Sequence, residues 1–170
     1  MSSCPHHLVP PLLPPANCFT VLVVDDMLPN RVLLSKFLKS AGYAIVEAAN
    51  GQEALDCLLH SPSAPDLIVT DIEMPKMDGV TFIAQTRALS ESLSSIPIIA
   101  ASGNADGKMK QEATAAGVDR FLTKPFNLKA LSREMAALLK MRHRSPGRTN
   151  QASEQVPNRI GAQLPQKSNS

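Results

Sequence analysis

Five short runs of apolar and β-branched residues alternate along the chain with segments whose apolar residues recur at helical spacing. Continuous apolar runs are typical of strands buried on both faces, and apolar residues three or four apart are typical of amphipathic helices. The runs predict strands at 19–24, 43–48, 66–71, 96–101 and 118–122. The helical spacing predicts helices at about 29–41, 52–60, 80–89, 105–116 and 127–140.

Alternation of strands and helices determines the predicted architecture. It indicates a parallel sheet with helices on both faces. With right-handed crossovers, five such units give a doubly wound, five-stranded α/β domain, which we place at residues 19–141 of the 170-residue chain. Sheets of this kind carry their sites outside the carboxyl ends of the strands.

The apolar spacing also predicts which helix side chains face the core. For the first helix these are Leu33, Leu34, Phe37, Leu38 and Ala41. For the second helix they are Ala54, Leu55, Leu58 and Leu59.

Two polar or proline-rich segments flank the predicted domain. Residues 1–18 contain five prolines and no Asp, Glu, Lys or Arg, which predicts a flexible, partly polyproline arm. A proline-rich docking ligand is the alternative, although no PxxP motif with a flanking arginine is present. Residues 142–170 are rich in Ser, Pro, Gln, Asn and Arg and predict a disordered tail.

Charge and composition argue against several classes of function. The net charge of +2 divides into −2 for residues 19–141 and +4 for the tail, so the domain has no nucleic-acid footprint. Binding of nucleic acid by the basic tail is a weaker alternative. There is no apolar run long enough to span a membrane and no secretory signal. The three cysteines lack metal-like spacing, which favours a reducing, cytoplasmic setting.

Chemically active side chains follow four of the predicted strands. Asp25 and Asp26 follow the first strand, Asp71 ends the third, Ser102 follows the fourth and Lys124 follows the fifth. Because the carboxyl ends of parallel strands share one edge, these side chains are expected to converge. Three clustered carboxylates repel one another unless a cation lies among them, and an oxygen-only cluster suits Mg²⁺.

A carboxylate beside such a metal is suited to aspartyl-phosphate chemistry. Asp71 would be the nucleophile, Lys124 would neutralise the phosphoryl group, and Ser102 would donate a hydrogen bond to it. Lys124 precedes Pro125, so the bond between them is a candidate for the cis form.

The segments that carry these residues resemble the receiver domain of response regulators in two-component signalling, over about residues 19–140. The matching segments are Val21-Leu22-Val23-Val24-Asp25-Asp26, Asp71-Ile72-Glu73-Met74-Pro75-Lys76-Met77-Asp78-Gly79, Pro97-Ile98-Ile99-Ala100-Ala101-Ser102-Gly103-Asn104 and Asp119-Arg120-Phe121-Leu122-Thr123-Lys124-Pro125-Phe126. The resemblance implies a flavodoxin-like (βα)5 fold with strand order 2-1-3-4-5.

The resemblance also implies roles for the acidic residues. Asp71 is expected to accept a phosphoryl group from a phosphohistidine. Asp26 and Asp71 are expected to bind Mg²⁺ through their side chains, Glu73 through its backbone carbonyl, and Asp25 through water. The side chains of Glu73 and Asn104 are expected to modify the lifetime of the phosphoryl group.

The remaining implied roles concern the response to phosphorylation. Ser102 is expected to move and bond the phosphoryl group, Lys124 to contact it, and Phe121 to turn inward as the switch aromatic. The alternative for Phe121 is a plain core residue. The switched surface is expected to be that of the fourth predicted helix, the fifth strand and the fifth helix.

The resemblance further implies the partners of the chain and the reactions that it catalyses. We expect a stand-alone receiver, phosphorylated by a histidine kinase or a histidine phosphotransfer protein, that signals to a downstream protein target. It would catalyse only its own phosphorylation and dephosphorylation.

Two other function classes compete with this interpretation. A phosphatase of the haloacid dehalogenase type needs a second aspartate two residues after the nucleophile, where this chain has Glu73. A pseudo-receiver that binds partners without phosphorylation is opposed by the complete set of site residues.

Overall fold

The computed structural model describes residues 19–103, 106–125 and 127–144. Its strands are β1 (Thr20–Val24), β2 (Ala44–Ala48), β3 (Leu67–Asp71), β4 (Ile98–Ser102) and β5 (Arg120–Thr123). Its helices are α1 (Leu28–Ser40), α2 (Gly51–His60), α3 (Gly79–Arg87), α4 (Glu91–Ser94), α5 (Gly107–Ala116) and α6 (Leu128–Arg144).

All neighbouring strands of the sheet are parallel, and their order is β2-β1-β3-β4-β5. This is the predicted doubly wound architecture and strand order. Residues 21–24 of β1 and all residues of β3 and β4 are buried, as their continuous apolar character requires. The edge strands β2 and β5 are largely exposed or half-buried, because only one side of each has a neighbouring strand.

Successive residues of the central strands contribute to two cores on opposite faces of the sheet. Val21 and Val23 pack in the core that includes residues of α1 and α6. Leu22 and Val24 pack in the core that includes residues of α2, α3 and α5. The helices therefore cover both faces of the sheet, as the alternation of elements predicts.

The inward faces of the first two helices differ from the prediction at particular positions. Leu33 is 62% exposed, because α1 is rotated so that Leu34, Ser35 and Leu38 face the core. Leu59 of α2 is 50% exposed and lies beyond the last core residue of that helix, Leu58. Apolar spacing alone does not fix the rotation of a helix about its axis, which depends on the surface it packs against.

The fourth strand, the segment before it and the last helix also differ from the prediction. The fourth strand begins at Ile98 and not at 96, because Pro97 has no N–H to donate to the sheet. A single-turn helix, α4, precedes it and was not predicted, since four residues are too few to show a periodic pattern. The last helix continues to Arg144, so residues 142–144 of the predicted tail are helical.

Several predicted features lie outside the described residues. They are the arm at 1–18, the remainder of the tail at 145–170, Asn104 and Phe126. Within the described part of the chain, no helix is both long enough and apolar enough to cross a membrane.

Candidate functional site

The predicted site residues meet at the carboxyl edge of the sheet. Asp71 is the last residue of β3 and Ser102 the last residue of β4. Asp25 follows the last residue of β1, whose neighbour in register is Thr70 of β3. Lys124 follows Thr123, which pairs with Ser102. The structure thus brings residues from four strands to one edge.

Lys124 joins two of the carboxylates. Its Nζ donates to Asp71 Oδ2 at 2.5 Å and to Asp25 Oδ2 at 2.9 Å. The backbone N–H of Lys124 donates to the Ser102 carbonyl at 2.7 Å, and the Lys124–Pro125 peptide bond is cis. The lysine is therefore anchored to the strand that carries Ser102 and directed at the strand that carries Asp71.

Asp25, Asp26 and Asp71 form a cluster that suits a divalent cation. Each offers a carboxylate oxygen, and these oxygens all lie within 4.8 Å of one another. Asp25 and Asp71 are buried, whereas Asp26 is exposed. When all three carboxylates are ionised, Lys124 neutralises one charge and a charge of −2 remains. The donor set and its charge fit Mg²⁺, a hard cation that carboxylates and water commonly bind.

Burial and charge act in opposite directions on the ionisable groups of the cluster. Burial raises the pKa of Asp71, and the charge of Asp25 raises it further, while the hydrogen bond and charge of Lys124 lower it; the net pKa is raised. For Lys124, burial lowers the pKa, but the hydrogen bonds and charges of Asp71 and Asp25 together outweigh it, so that the net pKa is raised.

The loop after Asp71 packs so closely that it requires glycine at its end. A Cβ atom at Gly79 would lie 2.2 Å from the Asp71 carbonyl oxygen. Gly79 N–H donates to the Ile72 carbonyl at 2.8 Å, and the Asp78 side chain caps α3 by accepting from Thr81 N–H at 2.8 Å. The sequence Asp78-Gly79 therefore ends the loop and begins the helix in a way that fixes the Asp71 backbone.

Ser102 and Phe121, the two residues expected to respond to phosphorylation, lie on the neighbouring strands β4 and β5. Ser102 is fully buried, and its Oγ lies 3.5 Å from Glu73 Oε2 and 3.1 Å from Met109 Sδ. Phe121 of β5 is half-buried and packs against the core that includes α5.

An open groove of about 600 Å³ lies beside the cluster. Asp26, Glu73, Thr81, Met109 and Glu112 are among its lining residues. The groove connects the acidic edge of the sheet with α5, which carries Met109 and Glu112. Solvent therefore has a path to the edge on this side.

Two contacts at the site were not predicted from the sequence. The Arg31 guanidinium donates to the Asp25 carbonyl at 2.5 Å, and Met109 Sδ accepts from Ser102. No motif in the sequence marks either Arg31 or Met109 for these contacts. Both contacts depend on how a helix packs against a strand end, which no local pattern encodes.

A parallel sheet of this order, with clustered aspartates and a lysine at its carboxyl edge, defines the receiver class of signalling domains. The chain matches the family model for the response regulator receiver domain over residues 21–136. It therefore belongs to that family and is a receiver domain of two-component signalling.

Relatives and solved structures agree with this assignment. The chain is 38% identical over 116 residues to the sensor histidine kinase RcsC of Salmonella typhi, covering 68% of this chain and 12% of RcsC. It is 35% identical over 120 residues to the response regulator MprA of Mycolicibacterium vanbaalenii, covering 71% and 50%. It spans about one eighth of the length of the kinase relatives and half the length of MprA.

The structural matches extend over nearly the whole of each matched chain. The receiver domain of a signal transduction histidine kinase from Syntrophus aciditrophicus matches with a TM-score of 0.69 and 30% identity, covering 77% of this chain and 97% of that one. The chemotaxis response regulator CheY4 of Vibrio cholerae matches with a TM-score of 0.64 and 32% identity, covering 71% and 98%.

Proposed function

We propose that Asp71 accepts a phosphoryl group from a phosphohistidine and that this modification switches the surface of α5, β5 and α6. The observation that carries the proposal is the placement of Asp71: its carboxylate is in contact with Lys124 and lies within one cluster with Asp25 and Asp26. A phosphoryl acceptor needs a nucleophilic oxygen with positive charge beside it, and this arrangement supplies both.

The transfer would follow from the chemistry of these groups. A carboxylate oxygen of Asp71 forms a bond to phosphorus as the bond from phosphorus to the histidine nitrogen breaks. The histidine leaves as imidazole after taking a proton, and Asp71 becomes an acyl phosphate. Lys124, already at hydrogen-bonding distance from Asp71, stabilises the negative charge on the phosphoryl oxygens.

Mg²⁺ is the cofactor that the cluster supports. Asp26 and Asp71 would hold it through their side chains, Asp25 through water and Glu73 through its backbone carbonyl. The bound ion supplies charge neutralisation that lets an anionic donor approach three carboxylates.

Phosphorylation would act as a local electrostatic change. It replaces a charge of about −1 on Asp71 with about −2 at the sheet edge. Ser102 then moves towards the phosphoryl group and Phe121 turns inward, which alters the surface of α5, β5 and α6. α5 suits a moving element because Ala113 is its single buried residue within the described helix, so few apolar contacts hold it.

The partners that fit this function are proteins. The donor is a histidine kinase or a histidine phosphotransfer protein, and the recipient of the signal is a protein that reads the switched surface. We place this exchange in the cytoplasm, where the chain catalyses only its own phosphorylation and dephosphorylation. No direct contact with nucleic acid is needed for it.

Incubation with Mg²⁺ and acetyl phosphate, followed by intact mass measurement, tests the function. We expect a single phosphoryl adduct on the wild type and none on Asp71→Asn. Asp78→Asn is the matched control, because asparagine also caps a helix, and it should keep the adduct. A wild type without an adduct, while EDTA-sensitive Mg²⁺ binding is normal, would favour the pseudo-receiver that binds partners without phosphorylation.

A further inference from the structure

We propose that Met109 is a positioning residue: its thioether holds the Ser102 hydroxyl in the unphosphorylated state and thereby couples the site to the first turn of α5. The inference rests on the proposed function of Asp71 and Ser102. It adds a residue that connects the moving hydroxyl to the moving helix.

The contact itself is close and well sheltered. Ser102 Oγ lies 3.1 Å from Met109 Sδ, nearer than its 3.5 Å to Glu73 Oε2. Ser102 is fully buried, and Met109 is half-buried at the wall of the groove. A hydroxyl has one proton to donate, so a bond to the sulfur competes with a bond to a phosphoryl oxygen. The hydrogen bond from Ser102 to Met109 must therefore break before the Ser102 hydroxyl can donate to a phosphoryl oxygen.

Met109 is placed to transmit this change into the backbone of α5. It lies in the first turn of the helix, and its N–H donates to Asp106 Oδ1, the side chain that caps the helix, at 2.8 Å. The Ser102 hydroxyl is thus linked through one side chain to the capped turn. Loss of the bond removes a restraint from that turn.

The opposite end of α5 is fixed by Arg87 of α3. Its Nε donates to the carbonyl of Gly117, the residue that follows the helix, at 2.9 Å, and its Nη2 pairs with Asp119 at 2.8 Å. With the C-terminal end held and the first turn released, α5 moves mainly at its end nearest Ser102. That end adjoins the groove, so the movement changes the groove wall that Met109 and Glu112 form.

The inference predicts that removing the sulfur favours the active arrangement. Met109→Leu keeps an apolar side chain of similar volume and removes the acceptor. The loss of one weak hydrogen bond from the unphosphorylated state should raise the rate of adduct formation with acetyl phosphate and Mg²⁺ about threefold. Met135→Leu is the matched control, since Met135 is buried in the core on the opposite face of the sheet, and its rate should equal that of the wild type.

A double-mutant cycle separates a positioning role from a packing role. In the Ser102→Ala background, Met109→Leu should change neither the rate of adduct formation nor the rate of its loss, because the partner hydroxyl is absent. An equal rate for Met109→Leu and wild type overturns the inference. So does a rate increase that persists in the Ser102→Ala background, or one that Met135→Leu reproduces.

A second readout does not depend on phosphorylation. In protein labelled with ¹³C on its methionine methyl groups, Ser102→Ala should shift the Met109 resonance and leave the resonance of Met135, in the core on the opposite face of the sheet, in place. An unmoved Met109 resonance contradicts the contact even if the protein is never phosphorylated. Failure of the proposed function would instead show as a wild type without an adduct, so the two failures are distinguishable.

Discussion

At the residue scale, the site depends on a few residues whose positions are fixed by burial and by close contacts. Asp71 is buried in contact with Lys124, and the backbone that carries it is pressed against Gly79. Asp71 and Gly79 could be identified from the sequence, because a strand that ends in aspartate and a loop that ends in Asp-Gly are local patterns. The ion pair between Lys124 and Asp25 could not be predicted from a local pattern, because the two residues are 99 positions apart.

Gly79→Ala should destabilise the protein by about 3 kcal/mol, at the upper end of the usual cost of overpacking. The new methyl group would meet backbone atoms of Asp71 and Ile72, which cannot rotate away as a side chain does. Urea unfolding measures the effect. Gly107→Ala is the control, because nothing lies within 4 Å of its Cβ position, and it should stabilise by about 0.5 kcal/mol. Similar stabilities for the two variants would contradict the prediction.

Asp71→Asn should raise the melting temperature at neutral pH. Because the pKa of Asp71 is raised in the folded state, mainly by burial, the stability that this group contributes is present in acid and is lost as pH rises through the folded pKa. Asparagine does not ionise, so Asp71→Asn avoids this loss of stability. The difference in melting temperature between the variant and the wild type should therefore become smaller as the pH falls. Lys124, whose pKa is also raised, stays protonated throughout. Thermal melts from about pH 8 to about pH 4 test this, and a variant less stable than wild type at neutral pH would refute it.

At the scale of elements, α5 is tied to the rest of the domain at its C-terminal end by one side chain. Arg87 donates to the carbonyls of Ser94, Ile96 and Gly117 and pairs with Asp119. It thereby connects α3, the end of α4, the segment before β4 and the turn that follows α5. The amphipathic pattern predicted α3 and α5 as helices, but the connection between them required the folded arrangement.

Arg87→Ala should cost about 3 kcal/mol of unfolding free energy, since it leaves partly buried carbonyls without their charged donor. Arg87→Lys should recover less than half of this, because an ammonium group lacks the planar fork that reaches several acceptors. Chemical denaturation measures both. As a control, Arg133→Ala on the exposed side of α6 should change stability by less than about 0.5 kcal/mol. An Arg87→Ala variant as stable as that control would show that the connection contributes little.

At the scale of the whole molecule, the sheet gathers charge from distant parts of the chain at one edge. The three aspartates and Lys124 come from the ends of β1, β3 and β5, which are separated in sequence but lie at the same edge of the sheet. The sequence predicts this convergence because parallel strands that belong to one doubly wound sheet must end on the same side. The net charge of −2 that remains after Lys124 is counted predicts that a divalent cation stabilises the folded state.

Mg²⁺ should therefore stabilise the folded protein. At ten times its dissociation constant, one bound ion adds about 1.4 kcal/mol to the unfolding free energy. Asp26→Asn should reduce this gain, while Glu91→Gln, on α4 beyond the opposite edge of the sheet, should leave it unchanged. Thermal melts with MgCl₂ against NaCl at equal ionic strength measure the effect. A gain that is the same for Asp26→Asn and wild type would contradict binding at the cluster.

Local patterns along the chain predict the strands, most of the helices, their succession along the chain and the residues at the strand ends, and the geometry of a parallel sheet brings those ends to one edge. Tertiary packing sets the exposure of Leu33 and Leu59, the pairing of Lys124 with two carboxylates and the contact between Met109 and Ser102. These features depend on how each helix is rotated and packed against the sheet and on which strand ends the sheet brings together. Such packing is settled only when the whole core forms.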